Sequence, residues 1–346
     1  MSKGNEYYFE YFVSINQQYK HHKKMKRITF IALILFSTTV YGCNPVNPVT
    51  NDKPKSDTLT STFQNIDIYL IGGQSNAVGA GYIRNIDNPK IIALTQEFHR
   101  PFKADQRVIL FYLKGWYSPS WGPWSFFGLN NGQPESTWIP LIHCGNDSLT
   151  FGPELGFGNR MMQLNPKFNI GIIKYAASGS SLQVDWNPGN SRTDTTQWGS
   201  QFKWFVKAVD RGLAALRSDG KSPIIRGMLW QQGEADTGYD NYAIMLGHFI
   251  DRVREQWDVP NMLFVYGYVF PANPTSEIRY AERDVDENSG TKYAKNKAFV
   301  VETKDLQLRK DDPWLPDSTL KVDNVHFGTA GQLELGRRMA DKMMLR

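Results

Sequence analysis

At 346 residues, with 41% hydrophobic and 13% aromatic residues, the chain is long enough for one large domain or two small ones. The formal net charge is +5, but residues 1–43 hold six Lys/Arg against two Asp/Glu, so +4 of it belongs to the N-terminal stretch. The rest of the chain is nearly neutral, which excludes a nucleic-acid footprint, and two Cys, Cys43 and Cys144, are too few for a disulfide framework.

The first feature in chain order is the basic run Lys23-Lys24-Met25-Lys26-Arg27, followed by apolar residues 28–36 and a short stretch ending Val40-Tyr41-Gly42-Cys43. A basic start, an apolar run too short to span a bilayer and a small residue before the break mark a signal peptide. Gly42 before Cys43, with Val40 two residues further back, resembles the lipobox of bacterial lipoproteins, although Tyr41 is unusual at its position. That resemblance implies that Cys43 becomes the acylated N-terminus and that the membrane is met only through this anchor; soluble secretion is the alternative. Met25 stands where such a peptide would start, so residues 1–24 receive no structural role. Residues 44–64 are rich in Pro, Asn, Ser and Thr and read as a flexible tether. The folded domain is expected over 65–346.

Within it, five short apolar runs read as buried strands: 66–71, 170–176, 224–230, 262–269 and 298–301. Residues 108–113 are a further candidate. Helical stripes lie between and after them. Residues 201–217 align Phe202, Phe205, Val206, Val209, Leu213 and Leu216; residues 240–257 align Ala243, Leu246, Ile250 and Val253; residues 329–343 carry Leu333, Leu335, Met339 and Met343. Strands alternating with helices predict an α/β fold, a parallel sheet covered on both faces, with functional residues at the carboxyl ends of its strands. Residues 114–150 break the pattern and read as a long loop carrying Trp116, Trp121, Trp124 and Trp138 among Gly, Pro, Ser and Asn.

Two segments suggest nucleophilic chemistry. In Leu70-Ile71-Gly72-Gly73-Gln74-Ser75-Asn76, a Ser follows a strand and a Gly-Gly turn, held out of the sheet beside N–H groups suited to an oxyanion. Such a Ser could equally be a helix cap. In Asp323-Asn324-Val325-His326-Phe327, one loop supplies an imidazole and a carboxylate three residues apart, the pair that a hydrolytic Ser needs as base and orienter. His99, His143 and His248 lack so close a pairing. Two further strand ends, Ser178-Gly179-Ser180-Ser181 and Gln231-Gln232-Gly233-Glu234-Ala235-Asp236, offer small residues, an amide and a glycyl N–H as oxyanion donors. Glu234 and Asp236 are alternative carboxylates, or turn residues and helix N-terminal acids.

Taken in order, Gly73-Gln74-Ser75-Asn76, the run 151–158 (FGPELGFG), Ser178-Gly179-Ser180-Ser181, Gln232-Gly233-Glu234 and Asp323-Asn324-Val325-His326-Phe327 resemble the SGNH-hydrolase superfamily, in its sialate O-acetylesterase and acetylxylan-esterase-like branch. The resemblance spans roughly residues 65–343. It implies a three-layer, flavodoxin-like α/β/α sandwich on a mostly parallel five-stranded sheet, with no metal or organic cofactor. It also implies Ser75 as nucleophile, His326 as base, Asp323 as its orienter, and an oxyanion hole of the Ser75 N–H, the Gly179 N–H and the Gln232 side chain. Two positions depart from the pattern. Gln231 stands where this branch has His, which bears on substrate contacts, and Ser178 stands where a second Gly is common.

The implied partner is an acetylated carbohydrate. Trp121, Trp124 and Trp186 fall in loops near strand ends, and an indole offers the flat apolar face and polar edge that suit a pyranose ring; the same residues could instead form a small core beneath a loop. Two other functions compete. A catalytically inactive carbohydrate-binding lipoprotein would explain the Trp residues without the triad, and an esterase on non-sugar acyl esters should line its site with aliphatic residues. Metal-dependent hydrolysis is disfavoured, because no His/Asp/Glu group beyond Asp323–His326 has ligand spacing. The particular sugar, the hydroxyl position and the oligomeric state are not legible in the sequence.

Overall fold

A computed structural model describes residues 64–95, 102–115, 138–145, 149–269 and 277–344, all within the unit Thr60–Arg346. The anchor cysteine Cys43, nearly all of the tether and most of the 114–150 loop, including Trp116, Trp121 and Trp124, lie outside the described residues.

Seven strands form the central sheet: β1 (Gln64–Gly73), β3 (Ile109–Gly115), β4 (Ile139–Pro140), β6 (Ile170–Ala177), β7 (Lys221–Gln231), β8 (Leu263–Gly267) and β9 (Ala298–Val301), in the order β4-β3-β6-β1-β7-β8-β9. All neighbours are parallel except β4, which closes one edge antiparallel to β3. The sheet therefore has two strands more than the five expected. One is the 108–113 candidate; the other, β4, is only two residues long and too short to carry a period. A separate two-stranded ribbon pairs β2 (Gly81–Tyr82) with β5 (Thr150–Phe151).

The helices are α1 (Ser75–Val78), α2 (Pro89–Leu94), α3 (Pro153–Leu164), α4 (Ser200–Ser218), α5 (Tyr242–Gln256), α6 (Glu277–Val285) and α7 (Thr329–Met344). Strand β1 shows how they are layered. Ile66, Ile68 and Leu70 face one core with the stripe of α4 and with Leu246, Ile250 and Val253 of α5. Tyr69 and Ile71 face the other with Leu155 and Met161 of α3 and Leu333 and Met339 of α7. This two-residue alternation is what a strand buried on both faces dictates, and it makes the three-layer α/β/α sandwich. Every residue of the three expected stripes is buried. Each Val, Leu, Ile, Phe or Met among them contributes about 1.5–3 kcal/mol relative to leaving it exposed.

The register aligns the strand ends. Gly73 pairs with Gln231, and Ile71 pairs with Lys174 three residues before the end of β6. The segments that follow β1, β6 and β7 thus emerge along one sheet edge. Helices α3 and α7 cross each other at glycines: a Cβ on Gly156 would run into the Leu333 carbonyl oxygen, and one on Gly336 into that of Pro153. Backbone cannot yield as a flexible side chain can. Gly336→Ala is therefore expected to destabilise the full chain by about 1–3 kcal/mol, read as a lower urea midpoint at unchanged slope; an unchanged midpoint would show that the crossing tolerates a methyl group.

Candidate active site

The turn after β1 is built around one glycine. Gly73 has φ +131, and a Cβ there would collide with the Gln231 carbonyl, so the backbone crosses β7 too closely for any side chain. Gln74 then donates its N–H to the Gln231 carbonyl at 2.9 Å and buries its side chain, whose Oε1 accepts from Gln232 Nε2 at 3.2 Å and the Ala235 N–H at 3.2 Å. This leaves Ser75, half-buried, as the first residue of α1. Among the described residues the Ser75 N–H has no protein acceptor.

The Asp323–His326 segment is a turn closed on itself. Asp323 follows a 3₁₀ turn at Ser318–Val322, and its Oδ1 accepts the N–H groups of Val325 and His326 at 3.2 and 3.1 Å. His326 Nδ1 lies 2.9 Å from Asp323 Oδ2 and 3.1 Å from Oδ1. Burial would raise the Asp323 carboxyl, but the hydrogen bond and charge of His326, with the two N–H groups, outweigh it and hold the group below the usual carboxylate range. A carboxylate facing Nδ1 places the neutral ring's proton there and leaves the Nε2 lone pair available as a base. From outside, Arg309 donates its N–H to the His326 carbonyl at 2.8 Å, and its Nη1 stands 3.7 Å from Asp323 Oδ2.

Asn76 joins the two segments. Fully buried, it donates from Nδ2 to the Val325 carbonyl at 3.1 Å and to Glu234 Oε1 at 2.9 Å, while its Oδ1 accepts the Phe327 N–H at 2.9 Å. The residue after Ser75 is thereby bonded to both chain neighbours of His326. Among the described residues no hydrogen bond joins Ser75 Oγ to His326 itself. Burial pushes the Glu234 carboxyl up, opposed by the Asn76 amide and the charge of His326.

The other expected site residues divide. Gly179, just past β6, has φ +70, is exposed and has open space where a Cβ would point, and its N–H has no protein acceptor among the described residues. Gln232 does not fit the oxyanion role. Its side chain is buried, and Nε2 is already committed to Gln74 Oε1, the Ser180 carbonyl (3.2 Å) and Asp236 Oδ2 (2.5 Å), while Oε1 accepts the Tyr242 hydroxyl at 3.0 Å. Gln231 is buried as well, its Nε2 3.3 Å from the Tyr268 carbonyl, so it presents nothing to a substrate. Nor does Trp186 face a sugar: it is fully buried against Tyr175, Phe205 and Trp230, its Nε1 bonded to Ser180 Oγ at 2.7 Å. Trp138 likewise packs on Phe111 and donates to the Gly212 carbonyl at 2.9 Å. Asp236 is a structural acceptor, taking the N–H groups of Leu182 and Gln183 at 2.7 and 3.0 Å. Among the described residues no group of three His, Cys, Asp or Glu is placed to hold a metal ion.

One supporting element is absent from the sequence reading. Lys174 and Glu154 form an ion pair at 2.5 Å with both side chains at 0% exposure. Lys174 Nζ also donates to the carbonyls of Val78 and Cys144, both at 2.8 Å, and Glu154 Oε1 accepts the Gly152 N–H at 2.8 Å. All three ammonium protons are used, one of them on the last residue of α1, so the pair fixes the helix that carries Ser75. A lysine inside the otherwise apolar strand IGIIKYAA was the available signal, because a charge is buried there only with partners.

Comparison with known proteins agrees with this frame. The family model described as carbohydrate esterase, sialic acid-specific acetylesterase matches residues 65–345. The crystal structure of NanS is similar with a TM-score of 0.54 at 16% identity, over 82% of this chain and 98% of that one. A protein from Arabidopsis thaliana is similar with a TM-score of 0.52 at 16% identity, over 82% of this chain and 99% of that one. No curated protein matches the sequence significantly.

Removing one member of a buried pair strands the other's charge. Lys174→Met is expected to lower stability by about 3–5 kcal/mol, and Lys174→Met/Glu154→Leu to recover part of that loss. Denaturant unfolding of the singles and the double checks it; a double variant no more stable than Lys174→Met would refute the pairing.

Proposed function

The chain belongs to the carbohydrate esterase, sialic acid-specific acetylesterase family, and from that premise we propose that it removes O-acetyl groups from carbohydrates by a Ser75–His326–Asp323 mechanism. The observation that carries the reading is the His326–Asp323 pair, with Nδ1 on the carboxylate, tied through Asn76 to the turn that bears Ser75.

The steps follow from the parts. Ser75 Oγ attacks the acetyl carbonyl carbon while His326 Nε2 takes the hydroxyl proton. The negative charge that develops on the carbonyl oxygen is met by the N–H groups of Ser75 and Gly179, neither of which has a protein acceptor among the described residues. The bond from acetyl carbon to sugar oxygen then breaks, and His326 returns its proton to that oxygen. Water, deprotonated by His326, attacks the acetyl-serine ester, and the second collapse releases acetate and restores the Ser75 hydroxyl. Asp323 holds the ring and its tautomer throughout and stabilises the imidazolium that forms twice per cycle. Compared with the sequence reading, the oxyanion hole loses Gln232, whose amide serves the wall of the site.

Ser75→Ala is expected to abolish acetate release from acetylated saccharides, and Asp323→Asn to lower kcat by about 10²–10⁴ while the fold is kept. Acetate measured over a panel of acetylated xylan, glucomannan, pectin and sialoglycans checks both. A Ser75→Ala protein that retained wild-type turnover would overturn the assignment.

A further inference from the structure

The proposed oxyanion donor Gly179 sits where nothing packs on it. It is exposed, open space lies where a Cβ would point, and at φ +70 its backbone is in a region that glycine enters freely. A glycine so placed does not hold its own N–H in one direction. What aims that N–H must lie in the residues on either side of it.

Those residues are tied down by one hydroxyl. Ser180 is fully buried, and its hydroxyl donates to the Ala177 carbonyl at 2.6 Å, a bond that closes the four-residue turn 177–180 around Gly179. The same Oγ accepts from Trp186 Nε1 at 2.7 Å. An indole N–H can only donate, so the serine oxygen is the acceptor there and its one proton is left for Ala177. The hydroxyl thus has a single orientation. The Ser180 carbonyl is taken as well, by Gln232 Nε2 at 3.2 Å.

Trp186 is the fixed end of this chain of bonds. Its fully buried ring meets Tyr175 of β6, Phe205 of α4, Trp230 of β7 and Phe249 of α5. The backbone between the two residues folds back, with the N–H groups of Asp185 and Trp186 on the Ser181 carbonyl at 3.0 and 2.9 Å. The indole is therefore gripped by four elements and reaches the turn through one bond. Consecutive hydrogen bonds in a medium of low dielectric polarise and strengthen each other. Loss of the Ser180 hydroxyl would open the turn and leave the indole N–H buried without its acceptor.

We propose that Ser180 and Trp186 are positioning residues for the reaction: through the Ser180 hydroxyl, the buried indole holds the turn so that the Gly179 N–H meets the charge on the acetyl oxygen. The proposal rests on the esterase reading above and adds what aims its oxyanion donor. Both side chains are buried, so neither touches substrate. Trp186, whose place in the sequence suggests a sugar platform, acts instead from inside the core.

The test uses the full chain, with a chromogenic acetate ester as substrate and phenylboronic acid as inhibitor. A boronic acid adds the serine Oγ to its trigonal boron and becomes a tetrahedral anion, so its affinity reports the oxyanion site. Ser180→Ala is expected to lower kcat at least about tenfold, with KM within about twofold, and to weaken phenylboronic acid by a similar factor. Trp186→Phe, which keeps an aromatic ring and the serine but removes the donor, should lower kcat about three- to tenfold at unchanged KM. Ser180→Thr, which restores the hydroxyl, should return kcat to within about threefold of wild type. A purely structural role would lower the urea midpoint and leave kcat and the boronate affinity as they are. Wild-type kcat in folded Ser180→Ala or Trp186→Phe, loss of kcat without loss of boronate affinity, or a folded Ser180→Thr no faster than Ser180→Ala would each overturn the proposal. Where one variant fails to fold, the others decide by the same measurements. If the wild-type protein turns over no acetate ester, or Ser75→Ala is as fast, the esterase reading fails and takes this proposal with it. With turnover that depends on Ser75, a negative result falls on the proposal alone.

Discussion

The carboxamide of Asn76 uses both of its N–H donors and its carbonyl oxygen, and the site depends on it. Two N–H groups and one carbonyl oxygen reach Glu234, Val325 and Phe327, which lie about 160 to 250 positions away in the chain. Each bond adds only about 0.5–1.5 kcal/mol net, but a buried partner left alone costs about 1–3 kcal/mol. Replacement of Asn76 would orphan several partners at once. Even the isosteric Asp fails, since a carboxylate cannot donate to the Val325 carbonyl and would face Glu234 with like charge. The turn that bears Ser75 and the turn that bears Asp323 and His326 are therefore tied to each other through the Asn76 side chain.

Around that link, the polar groups at the sheet edge form a set of mutually satisfied anchors. Gln74 and Gln232, both buried, meet each other and the turn after β7; Gln232 meets Asp236; Asp236 holds the loop after β6. On the opposite side of α1, Lys174 and Glu154 hold the end of that helix. Loops that emerge from a rigid sheet would otherwise move independently, and catalysis by positioning needs them within fractions of an ångström of one geometry. Fully paired networks in a medium of low dielectric resist distortion because every displacement exposes an unpaired group. Among the described residues the N–H groups of Ser75 and Gly179 have no protein acceptor, and these are the two that the proposed mechanism uses on the oxyanion.

The sequence reveals the parts of this arrangement that follow from period and order. The α4 stripe from Phe202 to Leu216 and the apolar runs of β1, β6 and β7 are written in spacings of 3.6 residues or in continuous burial, and they appear where expected. The position of Ser75 just after β1 and the contact of Asp323 with His326 were legible, because a hydroxyl after a Gly-Gly turn and an Asp-x-x-His turn are local features. What was not legible was the direction in which polar and aromatic side chains point. Gln231 and Gln232 look alike as a dipeptide at a strand end, yet both turn inward and neither donates to the cleft. Trp186 looked like a sugar platform, but a neighbouring Tyr175, Phe205 and Trp230 drawn from three separate elements make it core. Strand β4, at two residues, has no period to read. These outcomes are decided by contacts across long sequence separations, which composition and spacing do not encode.

The central claim is that the imidazole of His326 activates the hydroxyl of Ser75. Its most direct test is covalent trapping: the full chain is treated with a fluorophosphonate at neutral pH, and the modified peptide is located by mass spectrometry in wild type and in His326→Asn. The account predicts a single adduct, on Ser75, that forms at least about a hundredfold more slowly when the imidazole is removed. An adduct on another serine, or one on Ser75 that forms at the same rate in both proteins, would contradict it.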